Sequence, residues 1–499
     1  MRVKACRLLV SFVLAIVALM GLQHGLAAPA DRVRAEPATV SVSSSSAPQL
    51  VKDIISGSTS SILTQFSDAR MVNLSGTVYF PAQDTEHGLE LWRSDGTAAG
   101  TVMVTETTPT GSVRWPKQLT THQGHLFYAV ADGTHGNELW RSNGTAAGTQ
   151  LVKDILTGTG NSEPQMLTSV GTELFFIAND GVNGYELWAT DGSLTRTRLV
   201  HNNPNASTLA VPLQNLTNIS GTLFYSFYYD LYQSELWKSD GTPTGTVLIQ
   251  YIAETGAFTA ISDNLFFVAR GSNSEGKELY KTTGGTPALV KNIYEGYGNS
   301  ADPSRLTNVS GTLYFAANDG AHGTELWKSD GTVSGTVLVK DVYSGTGNGL
   351  AVACNYGDDT PCQANVAGVF YFTADDGTHG PELWKSDGTP TGTLMVKDIY
   401  PGSSITYKPI HLTAAQGRLF FVANDGSHGY ELWMSDGTPT GTLMLQDIQP
   451  SDTSKEPALL TAADNRLFFV ADDGLHGKEL WSVWLGEWPF SLYLPLLRK

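Results

Sequence analysis

The chain has little of what most readily assigns a function. Of its 499 residues only 16% are charged, and cysteine occurs three times, as Cys6, Cys354 and Cys362. Basic residues are scarce, 31 against 48 acidic ones, for a net charge of −17. So acidic a surface repels phosphate backbones and anionic lipid, which argues against a nucleic-acid partner. After residue 28 no apolar run reaches the ~20 residues a transmembrane helix needs. No helical hydrophobic period occurs anywhere. Motifs that announce chemistry are missing too: no His-Glu-x-x-His, no Gly-rich phosphate loop ending in Lys-Ser/Thr, and no Gly-x-Ser-x-Gly elbow. The scattered carboxylates cannot be paired from sequence into a glycosidase dyad.

The N-terminus reads as an export signal over residues 1–28. Arg2, Lys4 and Arg7 precede an apolar stretch at 8–22 and a small-residue stretch at 25–30 suited to cleavage. The expected location is therefore secreted or cell-surface. Cys6 precedes the apolar stretch, where a lipid-carrying cysteine would follow it. Residues 29–48 read as a disordered leader. In an oxidising compartment Cys354 and Cys362, eight apart, most simply form a disulfide, because a two-thiolate metal site would need two further nearby ligands.

What is present is one unit written nine times. Its mark is Glu-Leu-aromatic, with the aromatic at Trp92, Trp140, Trp188, Trp237, Tyr280, Trp327, Trp384, Trp433 and Trp481. A complete unit has four short β-rich segments separated by turn residues such as Asn424-Asp425-Gly426-Ser427-His428-Gly429 and Ser435-Asp436-Gly437-Thr438. The second segment, Leu419 through Ala423 in the eighth unit, is apolar at consecutive positions, so both of its faces must be covered. These features predict an all-β protein, a β-propeller of four-stranded antiparallel blades over residues 49–483 followed by an apolar tail at 484–499. A parallel β-solenoid is the runner-up fold. Leu50-Val51-Lys52-Asp53-Ile54 copies the fourth segment, which the ninth unit lacks. An N-terminal strand completing the last blade would close the ring of nine. Eight blades plus a displaced copy is the alternative, because the fifth unit is worn.

Glu325-Leu326-Trp327-Lys328-Ser329-Asp330-Gly331-Thr332, followed by Gly335-Thr336-Val337-Leu338-Val339-Lys340-Asp341-Val342, resembles the bacterial ELWxxDGT repeat family. The resemblance covers residues 50–481. It implies a secreted repeat protein and carries over no catalytic residue, since most members have no assigned function. Asn143, Tyr280 and Thr283-Gly284-Gly285-Thr286 depart from the pattern. A weaker likeness, of Ala471-Asp472-Asp473-Gly474 through Trp481, is to the tryptophan-docking motif of quinoprotein propellers. Their paired-cysteine element is missing here.

Nine copies of the glutamate (Glu90 to Glu479) argue for a structural role, either accepting loop amide hydrogen bonds or pairing with a lysine such as Lys340 or Lys397 across a blade boundary. The tryptophans read as blade-to-blade packing. A turn histidine recurs six times, at His87, His135, His322, His379, His428 and His476, with Asn183 in the third unit. Bonding within its own loop is the expected role; if these turns hold an ion, calcium suits their oxygens best, and no other cofactor is expected.

The histidine turns and the Cys354 insertion are expected on one face, the Ser-Asp-Gly-Thr turns on the other. Symmetry on the histidine face breaks in the fourth and fifth units, where Tyr228, Tyr229, Tyr232 and Arg270 are the candidate ligand surface. The function expected is a monomeric, non-enzymatic binding or scaffold protein facing a polysaccharide or protein. The alternative is a propeller enzyme acting on carbohydrate.

Overall fold

The computed structural model describes residues 47–64, 70–107, 115–202, 213–228, 233–271, 275–350, 361–450 and 455–486. Among these residues there is no α-helix, and two three-residue 3-10 turns, Ala146–Gly148 and Leu194–Arg196, are the only helical pieces. The protein is a β-propeller. The strands form seven four-stranded sheets and one of seven strands.

Blade 6 shows why this sequence makes a blade. Its strands are Ser304–Val309, Thr312–Asn318, Thr324–Ser329 and Val337–Lys340, hydrogen-bonded in chain order. Ser310 and Gly311, both left-handed at φ 52° and 90°, make the tight turn between the first two strands. All five central residues of Thr312–Asn318 are buried. Both faces of the strand are covered because a blade packs on each side. Val309, Tyr314 and Leu326 of blade 6 share a cluster with Phe370, Phe372 and Trp384 of blade 7. Each buried aromatic of this kind contributes roughly 2–3 kcal/mol.

The first strands of neighbouring blades lie beside one another, which places them innermost. Seven of them carry a bulge whose left-handed residue is not glycine: Ala257 in blade 5, at φ 50°, and a set of six that share a further bond, Gln118, Met166, Asn215, Arg305, His411 and Leu459, at φ 55° to 59°. In each of the six the threonine two residues on, Thr120 through Thr461, donates its hydroxyl to that residue's carbonyl at 2.9–3.1 Å. The hydroxyl bond offsets part of the backbone strain, and it explains the recurring Leu-Thr of these segments.

The strand Gln49–Lys52 is the outer strand of the last blade, antiparallel to Lys478–Trp484 with Leu50 opposite Trp481. Val78, Phe80 and Trp92 of blade 1 cluster with Phe468, Val470 and Leu480 of blade 9. The first and last blades thus pack as chain neighbours do. The last strand runs to Trp484 and Leu485 is buried, so the blade extends past residue 483, where the sequence reading ended it.

All nine repeats are blades, and none is a displaced copy. The seven-stranded sheet is two of them sharing one strand, Val247–Ile261. Its first part pairs with Ser234–Ser239 of blade 4 and its second with Asn264–Arg270 of blade 5. What elsewhere is a loop is here extended chain.

Candidate functional site

The repeated glutamates are buried in every blade, from 0% to 4% exposed. At a regular junction the carboxylate accepts the amides of the loop that leaves the fourth strand. Glu325 takes Val342 at 2.7 Å, Tyr343 at 3.2 Å and Gly349 at 2.8 Å. Glu138 and Glu278 repeat the arrangement with residues 155–162 and 293–301. Burial raises these carboxyls above the usual range although the amides oppose it, to about 7 at Glu325 and Glu479 and about 8 at Glu382 and Glu431. Blade 4 is the exception. With no loop to hold, Glu235 accepts the Trp237 indole N–H at 2.7 Å.

Pairing of these glutamates with Lys340 or Lys397 does not occur, because both lysines reach into the next blade. Lys340 Nζ donates to the Thr393 carbonyl at 2.9 Å and lies 5.9 Å from the Trp384 ring; Lys397 does the same with Thr442, at 2.7 Å, and Trp433. Lys52, Lys153 and Lys291 repeat the contact. The Lys52 latch joins the N-terminal strand to blade 1. At the junction of blades 3 and 4 His201 replaces the lysine, 4.2 Å from the Trp237 ring. Each lysine stands in Val-Lys-Asp or Val-Lys-Asn at the end of a fourth strand, and the tryptophan it covers follows 35 to 44 residues later, in the next blade.

The turn histidines are tied to their own loops. In all six, Nδ1 lies 2.7–2.8 Å from the aspartate three residues earlier. That carboxylate holds His87, His135, His322, His379 and His476 above the ordinary imidazole value. Asn183 makes the equivalent bond to Asp180 at 2.8 Å, so a neutral donor closes the turn equally well. In the Ser-Asp-Gly-Thr turns the aspartate accepts the threonine N–H and hydroxyl, as Asp330 does from Thr332 at 2.8 and 2.7 Å; Asn143 substitutes for it. Among the described residues no three His, Cys, Asp or Glu side chains converge as a metal-binding set.

The structure brings two of the candidate ligand residues to one bend of the shared strand. Tyr228 donates its hydroxyl to the Thr255 carbonyl, and Arg270 Nε lies 2.7 Å from Glu254, which also holds Lys277 at 2.9 Å. Tyr229 and Tyr232 lie outside the described residues. At the other end of this junction a cleft of about 330 Å³ opens between blades 4 and 5, lined by Ser220, Phe224, Lys238, Asp240, Asp263 and Thr283. Thr283 stands where the other turns carry aspartate or asparagine, and its turn lacks the Thr-x-x-Gly segment. Cys362 is buried against Ile410 and Val422. Cys354 lies outside the described residues.

No protein-family model matches the chain, and no curated protein matches it. Among solved structures it is similar to the β-propeller domain of the Trilobed protease from Pyrococcus furiosus. The identity is 12% and the TM-score 0.35, over 68% of this chain and all of that one. A puromycin-hydrolyzing peptidase from Mycobacterium tuberculosis aligns at 9% identity and TM-score 0.40, over 86% of this chain and 60% of that one. A puromycin hydrolase aligns at 12% and 0.35, over 72% and 59%. The chain thus spans about 60% of the length of these two hydrolases.

Proposed function

We propose that the protein is a secreted, non-enzymatic binding or scaffold protein of the ELWxxDGT repeat type, a closed nine-bladed ring that presents loops to a polysaccharide or protein partner. The observation that carries this reading is the engagement of the repeated polar residues. The glutamates of the regular junctions hold loops, the lysines latch blades, and the histidines and aspartates close turns. Each is a scaffold part, and the polar groups around the Tyr228–Arg270 bend and in the cleft depart from the repeat. Tyr228, Tyr229, Tyr232 and Arg270 remain part of the proposed surface, with the Tyr228 hydroxyl and the Arg270 guanidinium serving to fix its shape.

A glycan and cell-wall array on the purified protein, with and without calcium, tests the reading. Retention of a polysaccharide or protein with no product released supports it; release of shortened sugars from a bound glycan replaces it with the carbohydrate-active alternative. Cys354–Cys362 pairing belongs to the same reading and would contribute ~2–3 kcal/mol at most for so short a loop. Intact mass before and after alkylation checks it, two modified thiols in secreted protein refuting the pairing.

A further inference from the structure

Directly after the Ile or Val that follows each Lys-Asp or Lys-Asn, three consecutive blades carry tyrosine: Tyr294, Tyr343 and Tyr400. A buried glutamate fixes each backbone, since the three amides donate to Glu278, Glu325 and Glu382 at 3.4, 3.2 and 2.9 Å. Each ring lies on the turn glycine of the next blade. A Cβ at Gly320, Gly377 or Gly426 would stand 2.3, 2.5 or 3.0 Å from the ring, so only glycine admits it there. Two residues past each glycine come His322, His379 and His428. Their Nδ1 atoms are committed to aspartates, while their side chains stay 41%, 38% and 35% exposed.

Blades 6, 7 and 8 thus repeat one surface in phase: a tyrosine ring on the turn glycine two residues before a part-exposed histidine, whose Nε2 has no partner among the described residues. Around Tyr400 the surface widens, with the Tyr407 ring tilted against it at 4.7 Å and Tyr430 6.3 Å beyond Tyr407. Tyr297, on the same crossover as Tyr294, is 90% exposed.

We propose that these three tyrosine-histidine pairs are successive subsites for a neutral polysaccharide chain, which deepens and rests on the carbohydrate arm of the proposed function. Three features select this ligand. A phenol ring stacks on the C–H face of a pyranose, with its hydroxyl left for a polar partner. An imidazole nitrogen can accept from or donate to a sugar hydroxyl in either protonation state. An in-phase array on successive blades suits a polymer of repeating rings, and a net charge of −17 disfavours polyanions.

Leu156 occupies the tyrosine position in blade 2 and packs on Gly181, so Tyr294→Leu/Tyr343→Leu/Tyr400→Leu keeps the apolar contact and removes the platforms. His322→Asn/His379→Asn/His428→Asn keeps the turn bond that Asn183 already makes. The full-length protein is run in native gels containing dextran, laminarin, xylan or glucomannan. Retardation of the wild type by at least one glycan is expected. The tyrosine variant should then weaken binding about tenfold and the histidine variant about threefold, both with unchanged melting. Tyr251→Ala, at an exposed position elsewhere, should leave binding intact. A retarded wild type with an equally retarded tyrosine variant overturns the subsites and leaves the proposed function standing. No retardation of the wild type by any of the four overturns the subsites together with the carbohydrate arm.

Discussion

Two junctions of the same propeller are built differently. Between blades 6 and 7 the chain leaves the outer strand as a loop, and the buried Glu325 holds that loop by three amides. Lys340 then crosses to the Thr393 carbonyl and the Trp384 ring. Between blades 4 and 5 there is neither loop nor lysine. Gln250 stands at the lysine position, Tyr280 replaces the tryptophan, and one strand serves both blades. Its bend is held by part-exposed ion pairs of Glu254 with Arg270 and Lys277, which are worth about 1 kcal/mol or less each. The lesson is that the repeat can lose its polar latch where continuous strand pairing supplies the connection, and that the altered Thr283 turn of the same junction borders a cleft.

The largest effect is expected from turning one junction into an open edge. Deleting residues 49–54 removes the outer strand of the last blade, the Lys52 latch to blade 1 and an amide partner of Glu479. Thermal melting should fall by about 5 °C or more, with aggregation from the exposed sheet edge. An unchanged melting curve would sink the closed-ring model.

Next comes pH. Glu325 and Glu479 near 7 and Glu382 and Glu431 near 8 lie above the value of about 4.5 they regain on unfolding, so the folded state holds extra protons between those limits. Their contribution is complete below about 4.5 and is lost as pH rises through 7 to 8. Imidazoles held above their ordinary value act in the same direction. Melting temperature should therefore decline from pH 5.5 to pH 9, and Glu431→Gln should flatten the decline; a protein most stable at pH 9 would contradict the assignment.

Replacing the capping carboxylate compares the two junctions directly. Glu325→Ala should cost about 2–4 kcal/mol in urea unfolding, because three buried amides lose their acceptor, and Glu235→Ala less than that, the Trp237 indole N–H being among the donors it leaves. Equal losses would mean that loop capping is not what the glutamate supplies. The smallest effect belongs to the latch. Lys340→Met should cost about 1 kcal/mol, whereas Gln250→Met should change stability by less than about 0.5 kcal/mol.

Much of the fold was legible because blade packing repeats every ~48 residues and stamps the same apolar second strand and the same turns on each repeat. The candidate site was less so. Tyr228 and Arg270 stood out by breaking the pattern, yet Glu254 and Thr255, which engage them, lie 16 to 27 residues away and meet them only through the bend. The tyrosine of the crossover loops was visible as three copies, but nothing local says that its ring lies on a glycine of the next blade.

The sequence by itself determined the repeat, the all-β character, the turn chemistry and the match of the N-terminal segment to a missing fourth strand. These are encoded within single repeats, by second segments apolar at consecutive positions and by residues that accept left-handed turns. Only the tertiary structure decided what each polar residue faces. Lys340 pairs across the sheet with Leu326, the neighbour of Glu325, and successive residues of a strand point to opposite faces. That one-residue offset carries the lysine to the next blade and leaves the glutamate to its own loop.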